Sequence, residues 1–207
     1  MTAAPKDAGT YTVKVLVAET PTYVAASKEK EIVISPVVVK NYEFSTVFDG
    51  KKEYEKTFNH SSANWVVDGE TVKFIHKFES ENVGSKLAST VIQSNGVATN
   101  NYVIEESSMK AGITPKEVTA AFNYVYDGVT KQYTSSIGQI QLVAGYNVSV
   151  KVVFESHNAG AKVVSTELVG ENAKNYTLNS NSKFNIVPAK LNLGTIDLTY
   201  TGEYMFK

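Results

Sequence analysis

The chain has 207 residues, 43% hydrophobic and 20% charged, with 20 basic against 21 acidic side chains for a formal net charge of -1. That balance is too apolar for a disordered segment and leaves no basic footprint for nucleic acid or an anionic membrane. No cysteine is present, which excludes disulfides, thiolate metal sites and a cysteine nucleophile, and no apolar run approaches the ~18 residues of a membrane span. The opening residues lack the basic and apolar regions of a signal peptide, so a secreted parent would carry its signal elsewhere.

Twelve Tyr, nine Phe and abundant Val and Thr favour strands over helices. In chain order, Asp7-Ala8-Gly9 opens a β-rich run that ends at Ile34-Ser35-Pro36. Strands are predicted over residues 37–44, 71–78, 86–93, 102–106, 117–124, 137–143, 148–154, 162–168, 176–179 and 183–187. Turn pairs separate them at Asp49-Gly50, Asp68-Gly69, Asn95-Gly96, Asp127-Gly128 and Asn158-Ala159-Gly160. Period-2 alternation is clearest where Val72, Phe74, His76 and Phe78 share one face, and again at Val148, Val150, Val152 and Phe154.

The same landmarks return at near-constant spacing, the signature of tandem repeats. Ile34-Ser35-Pro36 recurs as Ile113-Thr114-Pro115 and Ile186-Val187-Pro188. An aromatic turn occurs as Phe48-Asp49-Gly50, Tyr126-Asp127-Gly128 and Tyr200-Thr201-Gly202, and the Gly9 turn returns at Gly84 and Gly160. Residues 72–86 and 148–162 are identical at seven of fifteen positions. The division that follows is residues 1–36 as the second half of a truncated repeat, 37–115 and 116–188 as full repeats, and 189–207 as the start of a further truncated one. In this register Lys207 stands where Tyr133 stands. Each repeat is expected to be a small β-sandwich-like module, Ig-like or β-grasp-like, in an elongated all-β rod. Pro36, Pro115 and Pro188 stiffen the junctions, because proline fixes φ and donates no hydrogen bond. Gly50, Gly128 and Gly202 serve turns, and Gly84 and Gly160 the places where strands begin.

The stretch Val125-Tyr126-Asp127-Gly128, then Phe154-Glu155-Ser156-His157-Asn158-Ala159-Gly160-Ala161-Lys162, Asn175-Tyr176-Thr177-Leu178 and Ile186-Val187-Pro188 resembles the YDG and MBG repeats of large bacterial surface, adhesin-like proteins. Residues 37–115 follow with drift, since Phe48 replaces the turn Tyr and Val103 the Thr after Asn101-Tyr102. The resemblance implies an extracellular stalk or adhesin repeat, and its motifs are structural.

Of the residues that could do chemistry, the histidines do not coincide between repeats, and the turn aspartates are the only equivalent pair. His76 aligns with Val152 and His157 with Glu81, and Asp49 and Asp127 have Thr201 as their third counterpart. Asp before Gly is explained by turn chemistry, so neither a metal nor a cofactor is expected. No HExxH, GxSxG or Gly-rich phosphate loop is present, and an enzyme is not expected. Trp65 is the candidate contact for a host glycan or protein, against the alternative that it closes one end of the core. The expected partners are neighbouring repeats of a longer chain, with head-to-tail self-association through the broken ends as an alternative.

Overall fold

A computed structural model describes residues 4–94, 99–192 and 194. The fold is all-β, and its helical turns are all short 3-10 turns among the described residues. The chain divides into two compact units: residues 1–117 with 143–146 and 174–177, and residues 118–142, 147–173 and 178–207.

Strands β1 (Gly9–Val17) and β2 (Ala26–Ile34) form an antiparallel ribbon, Gly9 opposite Ile34. Seven strands follow: β3 (Val37–Val39), β4 (Glu43–Val47), β5 (Glu53–Asn59), β6 (Thr71–Phe78), β7 (Leu87–Ser94), β8 (Tyr102–Ile104) and β9 (Lys110–Thr114). They pair as β3–β8 and β4–β9, both parallel, and as the antiparallel sheet β5–β6–β7. Seven more are β10 (Lys116–Val118), β11 (Ala121–Val125), β12 (Gln132–Ser136), β13 (Ser149–Phe154), β14 (Val163–Val169), β15 (Tyr176–Leu178) and β16 (Lys183–Val187). Their pairings, β10–β15, β11–β16 and β12–β13–β14, run in the same order, and both three-stranded sheets carry a bulge before the last phenylalanine of the middle strand. By the register of the glycine turns, β1 corresponds to β7 and β14. In the two longer sets that strand pairs with the middle strand, whereas β1 pairs with β2.

The middle strands carry the cores. Val72, Phe74, His76 and Phe78 are all buried, as are Val148, Val150, Val152 and Phe154, so the alternating faces lie as the sequence predicts. In unit 1 the core gathers Val39, Tyr42, Val66, Val72, Phe74 and Tyr102, with Phe58, Trp65 and Ile92 packed against it. In unit 2 the buried set includes Val118, Ile137, Leu142, Phe184 and Ile186.

Several predicted strands change. Residues 37–44 split into β3 and β4 around Asn41, whose φ of 52° is a left-handed bend that ends one strand and re-aims the next. Residues 117–124 split likewise at Thr119 and Ala120. Residues 137–143 form no strand: a 3-10 turn spans Gln139–Gln141, and Ile140 points out at 97% exposure while Ile137 and Leu142 are buried. The Gln141 side chain holds that turn, accepting from the Thr119 N–H through Oε1 and donating to the Thr119 carbonyl through Nε2, each at 2.7 Å. Strands β5, β9 and β12 were not anticipated. The Asn95-Gly96 turn lies outside the described residues.

Candidate functional site

Among the polar arrangements that recur in the described residues, one has both of its occurrences in unit 1. It joins a three-residue turn to an Asn-Tyr pair more than ninety positions later. In the first, Asn101 Oδ1 accepts from the Ala8 N–H at 2.6 Å and its Nδ2 donates to Asp7 Oδ1 at 2.9 Å. Asn100 adds a bond from its Nδ2 to the Ala8 carbonyl at 2.5 Å. In the second, Asn175 Oδ1 accepts from the Val83 N–H at 2.9 Å and its Nδ2 donates to Asn82 Oδ1 at 2.7 Å. One amide thus satisfies a turn donor and a turn side chain together. Asn175 is 0% exposed, where an unmatched amide would be costly and a matched one fixes register.

The tyrosine after each asparagine repeats its own contact. Tyr102 Oη accepts from the Val67 N–H at 3.0 Å, and Tyr176 Oη accepts from the Val143 N–H at 3.0 Å. Tyr102 also donates to Glu70 Oε2; burial and that carboxylate hold its phenol above the usual range. At the second arrangement Phe48 is 1% exposed, edge-on to Tyr146 with centroids 5.0 Å apart and to Tyr176 at 5.4 Å. Tyr146 Oη donates to Glu81 Oε1 at 3.4 Å, and burial together with the Glu81 charge raises its phenol. Gly50, at φ 80°, lies where an added Cβ would sit 2.9 Å from Val143 Cγ1, so this turn demands glycine both for its backbone and for the approach of its neighbour.

Of the sequence-predicted architectural residues, Gly50 and Gly84 lie at the second arrangement. Pro36, Pro115 and Pro188 each follow the end of a strand, β2, β9 and β16. Gly128, Gly84 and Gly160 share the left-handed φ of Gly50, at 83°, 79° and 81°. Gly202 lies outside the described residues. The turn aspartates are engaged locally. Asp49 Oδ1 accepts from the Tyr54 hydroxyl at 2.7 Å and the Lys51 N–H at 3.0 Å, bonds that outweigh burial and lower its carboxyl. Asp127 accepts from the Thr130 and Val129 N–H groups, and hydrogen bonds to Thr130 first, then Val129, hold it down at about 2. Among the described residues no three His, Asp or Glu side chains converge as a metal site would require.

His76 is buried between Tyr42 Oη on Nε2 and Thr90 Oγ1 on Nδ1, each at 2.9 Å. Desolvation lowers its pKa to about 4, keeping the imidazole neutral. Trp65 is half-buried, stacked on Phe74 at 5.7 Å and 11° and tilted against Phe58. Its remaining face lines a groove of about 330 Å³ with Lys40, Asn41, Tyr42, Lys56 and Phe58.

Sequence reasoning read Asn101 and Asn175 only as part of a family motif and missed their role. The signal was present, since the Asn-Tyr pair and the Asp/Asn-x-Gly turn both recur, but nothing in a linear pattern says that one binds the other. No family model, curated protein or solved structure matches the chain. No helix among the described residues is long and apolar enough to cross a membrane.

Proposed function

We propose that the chain is a run of tandem β repeats, with boundaries at Pro36, Pro115 and Pro188, that works as a non-enzymatic stalk or spacer of a bacterial cell-surface adhesin of the YDG/MBG kind. The repeats are small sandwich-like modules set end to end in a rod, and the surface they project from is extracellular. The observation that carries this reading is the asparagine arrangement. The residues that recur in register are those that tie a turn to a later Asn-Tyr pair, while the histidines and aspartates that could do chemistry either fail to recur or are spent on local turns. A spacer needs such ties, because load applied at its ends must cross every junction.

Single-molecule stretching from the two termini tests it. Discrete rupture events at both full repeats are expected, since the strands of a sheet release their hydrogen bonds together; smooth extension without ruptures would overturn the spacer. A second reading, a module that binds a glycan or host protein, is favoured by the groove beside Trp65, where an aromatic face lies next to Asn41 and Lys40. Glycan-array binding that disappears with Trp65→Ala would select it, and no binding by the intact chain would leave the spacer.

A further inference from the structure

The turn Asn158-Ala159-Gly160 is the third of its kind, and within the described chain nothing is seated on it. The three differ in cover in a graded way: Ala8 is buried, Val83 is half-buried, and Asn158, Ala159 and Gly160 are all exposed. The Gly160 N–H is used by the Ile186 carbonyl at 2.9 Å, and the Asn158 carbonyl by the Ala161 N–H at 3.1 Å, so the turn is closed and shaped. Its φ at Gly160, 81°, matches the 79° of Gly84. In the repeat register Asn158 and Ala159 correspond to Asn82 and Val83, whose Oδ1 and N–H receive Asn175, and both turns share the bond from the asparagine N–H to a serine two residues earlier.

A second difference points the same way. Phe48 is 1% exposed under Tyr146 and Tyr176, whereas its counterpart Tyr126 is 38% exposed, with the His157 ring 6.1 Å away between centroids. An added Cβ at Gly50 would meet Val143 and Tyr146, whereas at Gly128 it would meet Tyr126 alone within 4 Å among the described residues. His157 stands where Glu81 accepts the Tyr146 hydroxyl, and a neutral imidazole nitrogen can accept that bond too.

We propose that Tyr126, Gly128, His157, Asn158 and Ala159 form a docking site for a following repeat of the same type, which inserts an Asn-Tyr pair as Asn175-Tyr176 is inserted at Asn82 and Val83. The occupant is specified by chemistry. It brings one amide that accepts from the Ala159 N–H and donates to Asn158, and tyrosine rings that cover Tyr126. A second copy of this chain fits less well, because both of its Asn-Tyr pairs are already bound at Ala8 and Val83. This inference rests on the repeat reading and is independent of load bearing, so the stretching result and the result below can fail separately.

The test extends the full chain after Lys207 by a copy of residues 134–188, which completes the repeat begun at residue 189. The Ala159 amide is then followed by NMR-detected hydrogen exchange. Its protection is expected to rise about ten-fold, as one hydrogen bond of ordinary net strength gives, and to fall back when the appended copy of Asn175 is changed to alanine. Protected core amides in the appended repeat with unchanged exchange at Ala159 would overturn the proposal.

A transplant arm does not depend on the added repeat folding. Phe48→Tyr, Glu81→His and Val83→Ala together place the open site's residues at the occupied one. The amide at position 83 is expected to keep its protection within about three-fold, since the hydrogen bond from that backbone to Asn175 is retained. Loss of protection there to the level of Asn175→Ala would show that these residues do not accept an Asn-Tyr pair. Light scattering on the unextended chain completes the test, and a dimer abolished by Asn158→Ala would assign the site to a second copy and overturn the proposed occupant.

Discussion

β6 and β13 occupy the same place, each the middle of three antiparallel strands, and fill it with different chemistry. β6 buries Val72, Phe74, His76 and Phe78 at alternating positions and β13 buries Val150, Val152 and Phe154, but Phe74 and His76 of β6 stand where β13 has Val150 and Val152. The added ring and imidazole of β6 are matched by its neighbours. Phe74 is stacked by Trp65 and met edge-on by Tyr42, and His76 is satisfied by Tyr42 and Thr90. Around β13, Tyr124 and Tyr133 stack at 4.1 Å and present their edges to Phe154. Burial is therefore dictated by strand position, while the identity of the buried group is negotiated with the strands that face it.

The largest test of this contrast is truncation of the paired positions. Phe74→Ala is expected to cost about 3–5 kcal/mol in urea unfolding, because it removes a ring packed on Tyr42, Phe58, Trp65 and His76. Val150→Ala should cost about 2 kcal/mol, the transfer free energy of a smaller buried side chain. Losses in simple proportion to the apolar area each truncation removes would mean that aromatic packing around β6 adds nothing beyond area.

Next in size is the asparagine pair. Asn175→Ala strands the Val83 N–H and the Asn82 amide and is expected to cost about 2–3 kcal/mol. Asn158→Ala, at the exposed turn, should change the stability of the unextended chain by no more than about 0.5 kcal/mol.

His76 gives the two middle strands different responses to acid. The unfolded chain takes up its proton near pH 6.5, the folded His76 only near 4, so unfolding binds a proton in that window. Stability is full above about pH 6.5 and should fall by on the order of 2 kcal/mol as pH drops towards 4. His76→Val, the residue of β13, removes this slope while leaving the Tyr42 hydroxyl without its partner. A slope that survives the substitution would place the acid sensitivity elsewhere.

The smallest effect separates Gly50 from Gly128. Both have positive φ, so alanine costs about 1 kcal/mol at either position. Only Gly50→Ala should cost a further ~1 kcal/mol or more, by overlap with Val143, and the difference between the two melting midpoints measures it.

Particular residues show what could be read in advance. The buried faces of β6 and β13 were legible because alternation reports a half-buried strand, and the glycine turns were legible because few residues other than glycine accept φ near 80°. Residues 137–143 misled because an exposed Ile140 carries the same apolar signal as a buried one, and the Gln141 bonds that settle the turn join it to a residue 22 positions away. β5 is masked in the sequence because Glu53 and Glu55 flank the half-buried Tyr54 and Lys56 and Thr57 separate it from the half-buried Phe58. At the candidate site the turns were expected but their asparagine partners were not, being separated by 92 to 93 residues.

By itself, then, the sequence determined an all-β chain, its internal periodicity, the glycine turns at 50, 84, 128 and 160 and the buried faces of β6 and β13. Those are local consequences of side-chain alternation and backbone sterics. Only the tertiary structure decided that β3 and β4 pair in parallel with β8 and β9, that β1 turns to β2, and that one asparagine amide closes a distant turn. Such choices depend on matching donors to acceptors across space, where a single unpaired buried amide outweighs any local preference.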